Sequence, residues 1–223
     1  MLHTISWNIF APVRNELAIG ATAILHTDLP ATAFVCAPQG ADIKSAAPLM
    51  LHADASELAS KLHARRSQFT LLGVPLVACV YENGGHLLFR LTDAFYTALL
   101  REVLMVYPPA PPLSAGEELP PEARHIHYAQ RRMWMLARYA EGEVCCPTVP
   151  AIQRALFLSA GVGERLDHPR ALQLRLEEAS TALTTMFHTV LPHERSALMR
   201  ESAFVGEAAA RILFACLYPE TLA

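Results

Sequence analysis

The stretch Tyr107–Arg124, reading YPPAPPLSAGEELPPEAR, most constrains how this chain can fold. It carries Pro108, Pro109, Pro111, Pro112, Pro120 and Pro121. Proline fixes φ and removes a backbone donor, so such a run cannot enter a helix interior or a central strand. The segment predicts a semi-rigid, extended spacer over 107–123. A chain of 223 residues suits one large domain or two small ones. The spacer favours two, over 1–106 and 124–223. No internal repeat is visible.

The first part mixes two periods. Phe10, Val13, Leu17, Ala21 and Ile24 recur at helical spacing. Ala33 to Ala37 is a short apolar run that reads as a strand. Asp54 or Ser56 suits the N-cap of a helix carrying Leu58 and Leu62. Val74–Tyr81 and His86–Leu91 are strand-like runs separated by Glu82-Asn83-Gly84-Gly85, a hairpin signal because these residues tolerate positive φ. Thr92 or Asp93 caps a helix with Phe95, Leu99, Val103 and Val106 on one face. The expectation is an α+β domain with a small, mostly antiparallel sheet.

The second part reads as helix only. One stripe is Ile126, Ala129, Met133, Leu136 and Ala140; another is Leu172, Leu176, Ala179, Leu183 and Met186; a third is Leu198, Val205, Ala208, Ile212 and Cys216. A shorter helix around Ile152–Leu158 ends near Gly161 and Gly163. The expectation is an all-α helical bundle.

Composition excludes several classes. Hydrophobic residues at 52% against 17% charged rule out a disordered chain. No apolar run reaches about 18 residues, so no membrane span and no membrane partner are expected. The first residues lack the basic region and apolar run of a signal peptide. Cys36, Cys79, Cys145, Cys146 and Cys216 are odd in number and lack C-x-x-C spacing. That pattern argues against a disulfide framework or a zinc site and fits a cytoplasmic protein. The vicinal pair Cys145-Cys146 has no His or Cys at ligand spacing, so no metal is assigned. Ser159 has Gly161 after it but Phe157 where a nucleophile elbow needs glycine. No Walker motif and no G-x-G-x-x-G is present, so neither a cofactor nor a catalytic residue is assigned.

A formal net charge of −3 excludes a uniformly basic nucleic-acid binder, and DNA is not expected as a partner. A local basic patch remains open, because phosphate binding depends on where charges sit. Every basic residue after position 105 is arginine, the better fork for phosphate, although a GC-rich genome gives the same bias.

The order of motifs resembles an arginyl-tRNA synthetase without its catalytic domain. The first part is similar to that family's N-terminal additional domain. Its Gly-Asp, Ser/Thr-Asn-Ala pattern stands here as Gly40-Ala41-Asp42-Ile43-Lys44-Ser45-Ala46-Ala47. Its A-x-x-L-A-x-x-L helix is matched by Ala55-Ser56-Glu57-Leu58-Ala59-Ser60-Lys61-Leu62. Its glycine-rich turn and G-F-I-N-F-R-L strand stand as Gly84-Gly85-His86-Leu87-Leu88-Phe89-Arg90-Leu91, followed by Thr92-Asp93-Ala94-Phe95. The second part resembles the all-α DALR-type anticodon-binding domain. The family's V-x-Y-A-H-A-R opening is Ile126-His127-Tyr128-Ala129-Gln130-Arg131-Arg132, and its central helix corresponds to His168-Pro169-Arg170-Ala171-Leu172 through Met186-Phe187.

The resemblance covers nearly the whole chain, with the proline spacer in place of the catalytic domain. Neither H-x-G-H nor K-M-S-K-S occurs. In the family these motifs stabilise the transition state in which the amino-acid carboxylate attacks the α-phosphate of ATP, so the resemblance implies no aminoacylation. It implies a stand-alone tRNA adapter, with arginine tRNA as the partner RNA and a tRNA-modifying or other enzyme as the partner protein. The alternative is a protein-interaction module that has lost RNA binding, docking through a sheet edge or through Met133, Trp134 and Met135.

Candidate RNA-contacting residues follow. On a helix, His125, Tyr128, Arg132, Met135 and Tyr139 share a face that offers rings and a guanidinium for splayed bases, and Arg131 lies one step round for phosphate. The same face also fits a helix-packing surface. His86 and Arg90 lie on the strand that touches the tRNA elbow in the family, where Leu88 replaces an asparagine. Lys61, His63, Arg65 and Arg66 form a basic helix end, suited either to the helix dipole or to phosphate. Arg170 and Arg175, with Arg195 and Arg200, suit either an RNA-facing surface or a solvated face paired with Glu177, Glu178, Glu194 and Glu201.

Overall fold

The computed structural model describes residues 8–37, 41–107, 109, 142–165, 169–190 and 196–217. The fold is α+β. Contacts gather into two compact units, one of Phe10–Phe95 and the other running from Tyr96 onward together with Ile9. The sequence-based boundary lies at 106, whereas this division falls between Phe95 and Tyr96. Of the proline segment, Tyr107 and Pro109 are among the described residues.

In the unit Phe10–Phe95, helix α1 (Phe10–Leu25) buries Phe10, Val13, Leu17, Ala18, Ala21 and Ile24, the expected stripe and one more alanine. Four strands follow in the sheet order β1-β2-β6-β5, all antiparallel: β1 (Phe34–Cys36), β2 (Ile43–Ser45), β5 (Val77–Asn83) and β6 (His86–Leu91). Between β2 and β5 come α2 (Ala47–Leu51), α3 (Ala55–Ala64) and a small hairpin of β3 (Thr70–Leu71) and β4 (Val74–Pro75).

The expected run Val74–Tyr81 is broken in two. Pro75 has no N–H to continue a ladder, and a register shift follows between Val77 and Cys79. The β5–β6 connection is tighter than the four residues expected. Asn83 pairs with His86, leaving Gly84 (φ +58°) and Gly85 (φ +77°) as a two-residue turn that needs both glycines. Asp54 caps α3, its Oδ1 accepting from the Glu57 N–H at 2.8 Å. Thr92 Oγ1 accepts from the Phe95 N–H at 3.0 Å and opens helix α4 (Asp93–Val106).

Strand β2 was not read from sequence. It is three residues long and pinned by its neighbours. Asp42 donates its N–H to Phe89 O at 3.0 Å and accepts the Leu91 N–H on Oδ2 at 2.7 Å. The core of this unit lies between α1, α3 and one sheet face. Phe89 meets Phe34 edge-on at 5.7 Å and Phe69 edge-on at 6.4 Å, and all three are fully buried.

The described elements of the other unit are helical. Helices α5 (Pro150–Ala160), α6 (Pro169–Val190) and α7 (Ser196–Leu217) pack on one another. Leu176, Ala179, Leu183 and Met186 of the second expected stripe are buried, as are Val205, Ala208, Ile212 and Cys216 of the third. From Tyr96 onward α4 belongs here. Tyr96, Leu99, Leu100 and Val103 are fully buried, and the Tyr96 ring meets Phe157 edge-on at 6.4 Å. Arg211 of α7, held by Glu207 at 2.8 Å, donates to Leu104 O and Tyr107 O, each at 2.8 Å. It thereby satisfies carbonyls that the end of α4 would otherwise leave unpaired.

Candidate nucleic-acid interface

The two faces of the four-stranded sheet differ. Cα pairing sets Val35 opposite Lys44, Lys44 opposite Leu88 and Leu88 opposite Tyr81, so these four share one face. Alternation along β6 adds His86 and Arg90 to that face, with Cys79 paired to Arg90 and Asn83 paired to His86. The adjacent rows, Ile43–Phe89–Val80 and Phe34–Ser45–Leu87, point into the core and are buried.

On the outer face Arg90 is exposed, Val35 is 48% exposed, and Lys44, Tyr81 and His86 are half-buried. Leu88 is covered by Ala37, Ala41 and Tyr81. This small apolar cluster floors the centre of the face and gives Tyr81 a firm seat. Strand spacing places the Lys44 and Tyr81 backbones ~10 Å apart, two strands from each other. His86 is oriented by its own turn, with Nδ1 2.9 Å from Gly84 O. Arg90 makes no ion pair among the described residues. One aromatic ring, one imidazole and two long cations therefore share a face that the described helices leave accessible. Such a set can stack an unpaired base and neutralise the phosphates on either side of it.

Lys44 and Tyr81 were absent from the sequence-derived candidates. Tyr81 ended an expected strand, but only its pairing with Leu88 places it on the face of Lys44 and between His86 and Arg90.

The basic end of α3 is arranged differently. Lys61 pairs with Glu57 at 2.6 Å. Arg66 donates to His63 O at 3.0 Å. His63 accepts the Val80 N–H on Nδ1 at 3.3 Å, covering a donor on the outer edge of β5. Arg65 is exposed at the helix C-cap.

In the other unit Arg170 is exposed at the start of α6, and Arg175 pairs with Glu178 at 2.6 Å. Arg200 donates to Glu143 O at 2.7 Å, stands 5.9 Å over the Phe204 ring, and so acts within the fold. Its neighbour Glu201, 7% exposed, accepts the Thr148 N–H at 3.0 Å and the Thr148 hydroxyl at 3.1 Å. Gln153 Nε2 donates to Pro147 O at 2.7 Å. Together these bonds strap the segment before α5 to α7. Burial, then the Glu201 carboxylate, pushes the Cys145 thiol up from 9.0. His125, Tyr128, Arg131, Arg132 and Tyr139 lie outside the described residues, as do Met133, Trp134, Met135, Glu194 and Arg195.

Ser159 is fully buried and donates its hydroxyl to Ala155 O at 2.7 Å, an intrahelical bond. Among the described residues no helix is long and apolar enough to cross a membrane, and no group of three or more His, Cys, Asp and Glu could hold a metal ion.

No protein-family model matches the chain, and no curated protein or solved structure matches it.

Proposed function

We propose that this chain is a non-catalytic tRNA-binding protein or adapter, related to arginyl-tRNA synthetase and without aminoacylation activity. The observation that carries the reading is the outer sheet face, where Tyr81, His86, Arg90 and Lys44 stand together. Two of these, His86 and Arg90, fall on the strand that the resemblance assigns to the tRNA elbow. In this reading an unpaired base stacks on Tyr81 or His86, and Lys44 and Arg90 hold the flanking phosphates. The second part is read as the all-α, anticodon-binding-like bundle, in which the resemblance makes Tyr128 and Arg132 candidate RNA contacts, with Arg170 a further candidate. Arginine tRNA is the RNA of first choice, and the cytoplasm is the compartment.

The reading is tested by filter retention of transcribed tRNA across a salt series. Binding should fall linearly on a log–log plot, with a slope of about 0.7–0.9 per phosphate neutralised. The double variant Lys44→Glu/Arg90→Glu should lower that slope by about two phosphates, and Tyr81→Ala should weaken binding at every salt concentration. Salt-insensitive retention, or a double variant that binds as the parent does, rejects it.

A further inference from the structure

We propose that Cys145 and Cys146 form a reversible redox site, which a small-molecule disulfide of the glutathione type closes into a ring disulfide inside the strap between α5 and α7. The two thiols are adjacent in sequence, and both are half-buried rather than sealed off. Cys216 is buried, and Cys36 and Cys79 lie on β1 and β5.

The backbone around the pair suits ring closure. Residues 144–149 form neither helix nor strand, so no helical or ladder bond opposes a local turn of the chain. Fixed points lie on both sides. Before the pair, Gly142 takes φ +91° and Arg200 donates to Glu143 O at 2.7 Å. After it, Gln153 donates to Pro147 O at 2.7 Å, and Glu201 accepts the Thr148 N–H at 3.0 Å. The two sulfurs are thereby kept together, and an intramolecular bond outcompetes a cross-link between chains. Consecutive Cα atoms stand about 3.8 Å apart, whereas ordinary disulfides span about 4.4–6.8 Å. The ring is strained, and strained disulfides are the ones that a thiol pool reopens. The pair is a switch and not a brace, which agrees with a cysteine pattern that shows no disulfide framework.

The chemistry has a fixed order. Burial and the Glu201 carboxylate keep the proton on Cys145, so attack begins at Cys146. The Cys146 thiolate attacks one sulfur of glutathione disulfide, breaks its S–S bond and expels one glutathione. Cys145 then gives up its proton, attacks the Cys146 sulfur and expels the second glutathione. The pair is oxidised by two electrons, glutathione disulfide is reduced to two thiols, and those thiols carry the two protons. Closure turns the Cys145 sulfur onto Cys146 and changes what stands beside Glu201, the residue that also holds Thr148.

The test incubates the reduced full-length chain with glutathione disulfide, quenches it in acid and maps the tryptic peptide 139–154, which holds these two cysteines and no other. The peptide should become lighter by two hydrogens in an uncross-linked chain and regain them in excess reduced glutathione. Cys145→Ser should stop at the mixed disulfide, heavier by one glutathione on Cys146, and Cys146→Ser should take up glutathione more slowly than Cys145→Ser. Nitrogen-15 spectra of the oxidised chain should show a shifted Thr148 amide. A peptide carrying two glutathiones, cross-linked chains, a pair that stays fully open to alkylation, or a ring that reduced glutathione cannot reopen overturns the proposal. Faster uptake in Cys146→Ser overturns the order of attack, and an unmoved Thr148 amide overturns the coupling to the strap.

Discussion

Replacing Gly20 with alanine sets local helix energetics against tertiary packing. Within a helix, alanine is favoured over glycine by about 1 kcal/mol. Gly20 lies inside α1, so on propensity alone Gly20→Ala should stabilise the protein. The structure gives the opposite sign. A Cβ at this position would stand 2.5 Å and 2.6 Å from two ring carbons of Phe69. Ordinary carbon–carbon contact is about 3.5–4.0 Å, so the overlap is roughly 1 Å. The ring cannot swing aside. Phe69 is fully buried and rests edge-on against Phe89, which rests in turn on Phe34. Overpacking of this kind costs about 1–3 kcal/mol, enough to cancel the gain in propensity and leave a net loss near 1 kcal/mol. Urea denaturation should show a lower midpoint with an unchanged slope, and calorimetry a Tm lower by about 2–4 °C. Shortening the obstructing side chain in Gly20→Ala/Phe69→Leu should recover part of the loss, with a coupling of about 0.5–3 kcal/mol in the double-mutant cycle. A raised Tm for Gly20→Ala, or strict additivity in the cycle, refutes the argument that close approach is what keeps glycine here.

Burial pushes the Cys216 thiol up from 9.0 to about 12. Between those values the unfolded chain has lost the proton that the folded chain keeps, so stability falls as pH rises above 9, by at most about 1.4 kcal/mol per pH unit from this group. Urea midpoints from pH 8 to 10 should therefore decline less steeply in Cys216→Ala than in the parent. Glu201→Ala leaves the Thr148 N–H and hydroxyl without their acceptor and should cost about 1–3 kcal/mol in urea unfolding, whereas Glu201→Gln should lose less. Asp54→Ala removes the N-cap of α3 and should lower stability by about 1 kcal/mol, with Asp54→Asn near the parent by the same measurement.

Much of the local structure was legible because it is set by neighbours in sequence. The Phe10–Ile24 stripe, the Asp54 and Thr92 caps, the glycine turn before His86 and the helical periods of α6 and α7 each depend on residues within a few positions of one another. Strand β2 was not legible. Ile43-Lys44-Ser45 is too short to show alternation, and it is a strand because β1 and β6 flank it and Asp42 bonds to Phe89 and Leu91. The candidate interface divided in the same way. His86 and Arg90 were found through a strand motif. Lys44 and Tyr81 came from cross-strand register, which no spacing rule supplies. His63 was grouped with a basic helix end, but it serves as acceptor for an N–H on the sheet edge.

By itself the sequence determined the helices α1, α3, α4, α5, α6 and α7 and the β5–β6 hairpin, because capping, φ preference and hydrophobic period act over a turn or two of chain. Tertiary structure alone decided that Gly20 must stay without a side chain, that α4 divides between units at Phe95, and which polar residues share the outer face of the sheet. Those outcomes depend on contacts between positions tens of residues apart, whose strength is set by burial and register and leaves no periodic trace in the chain.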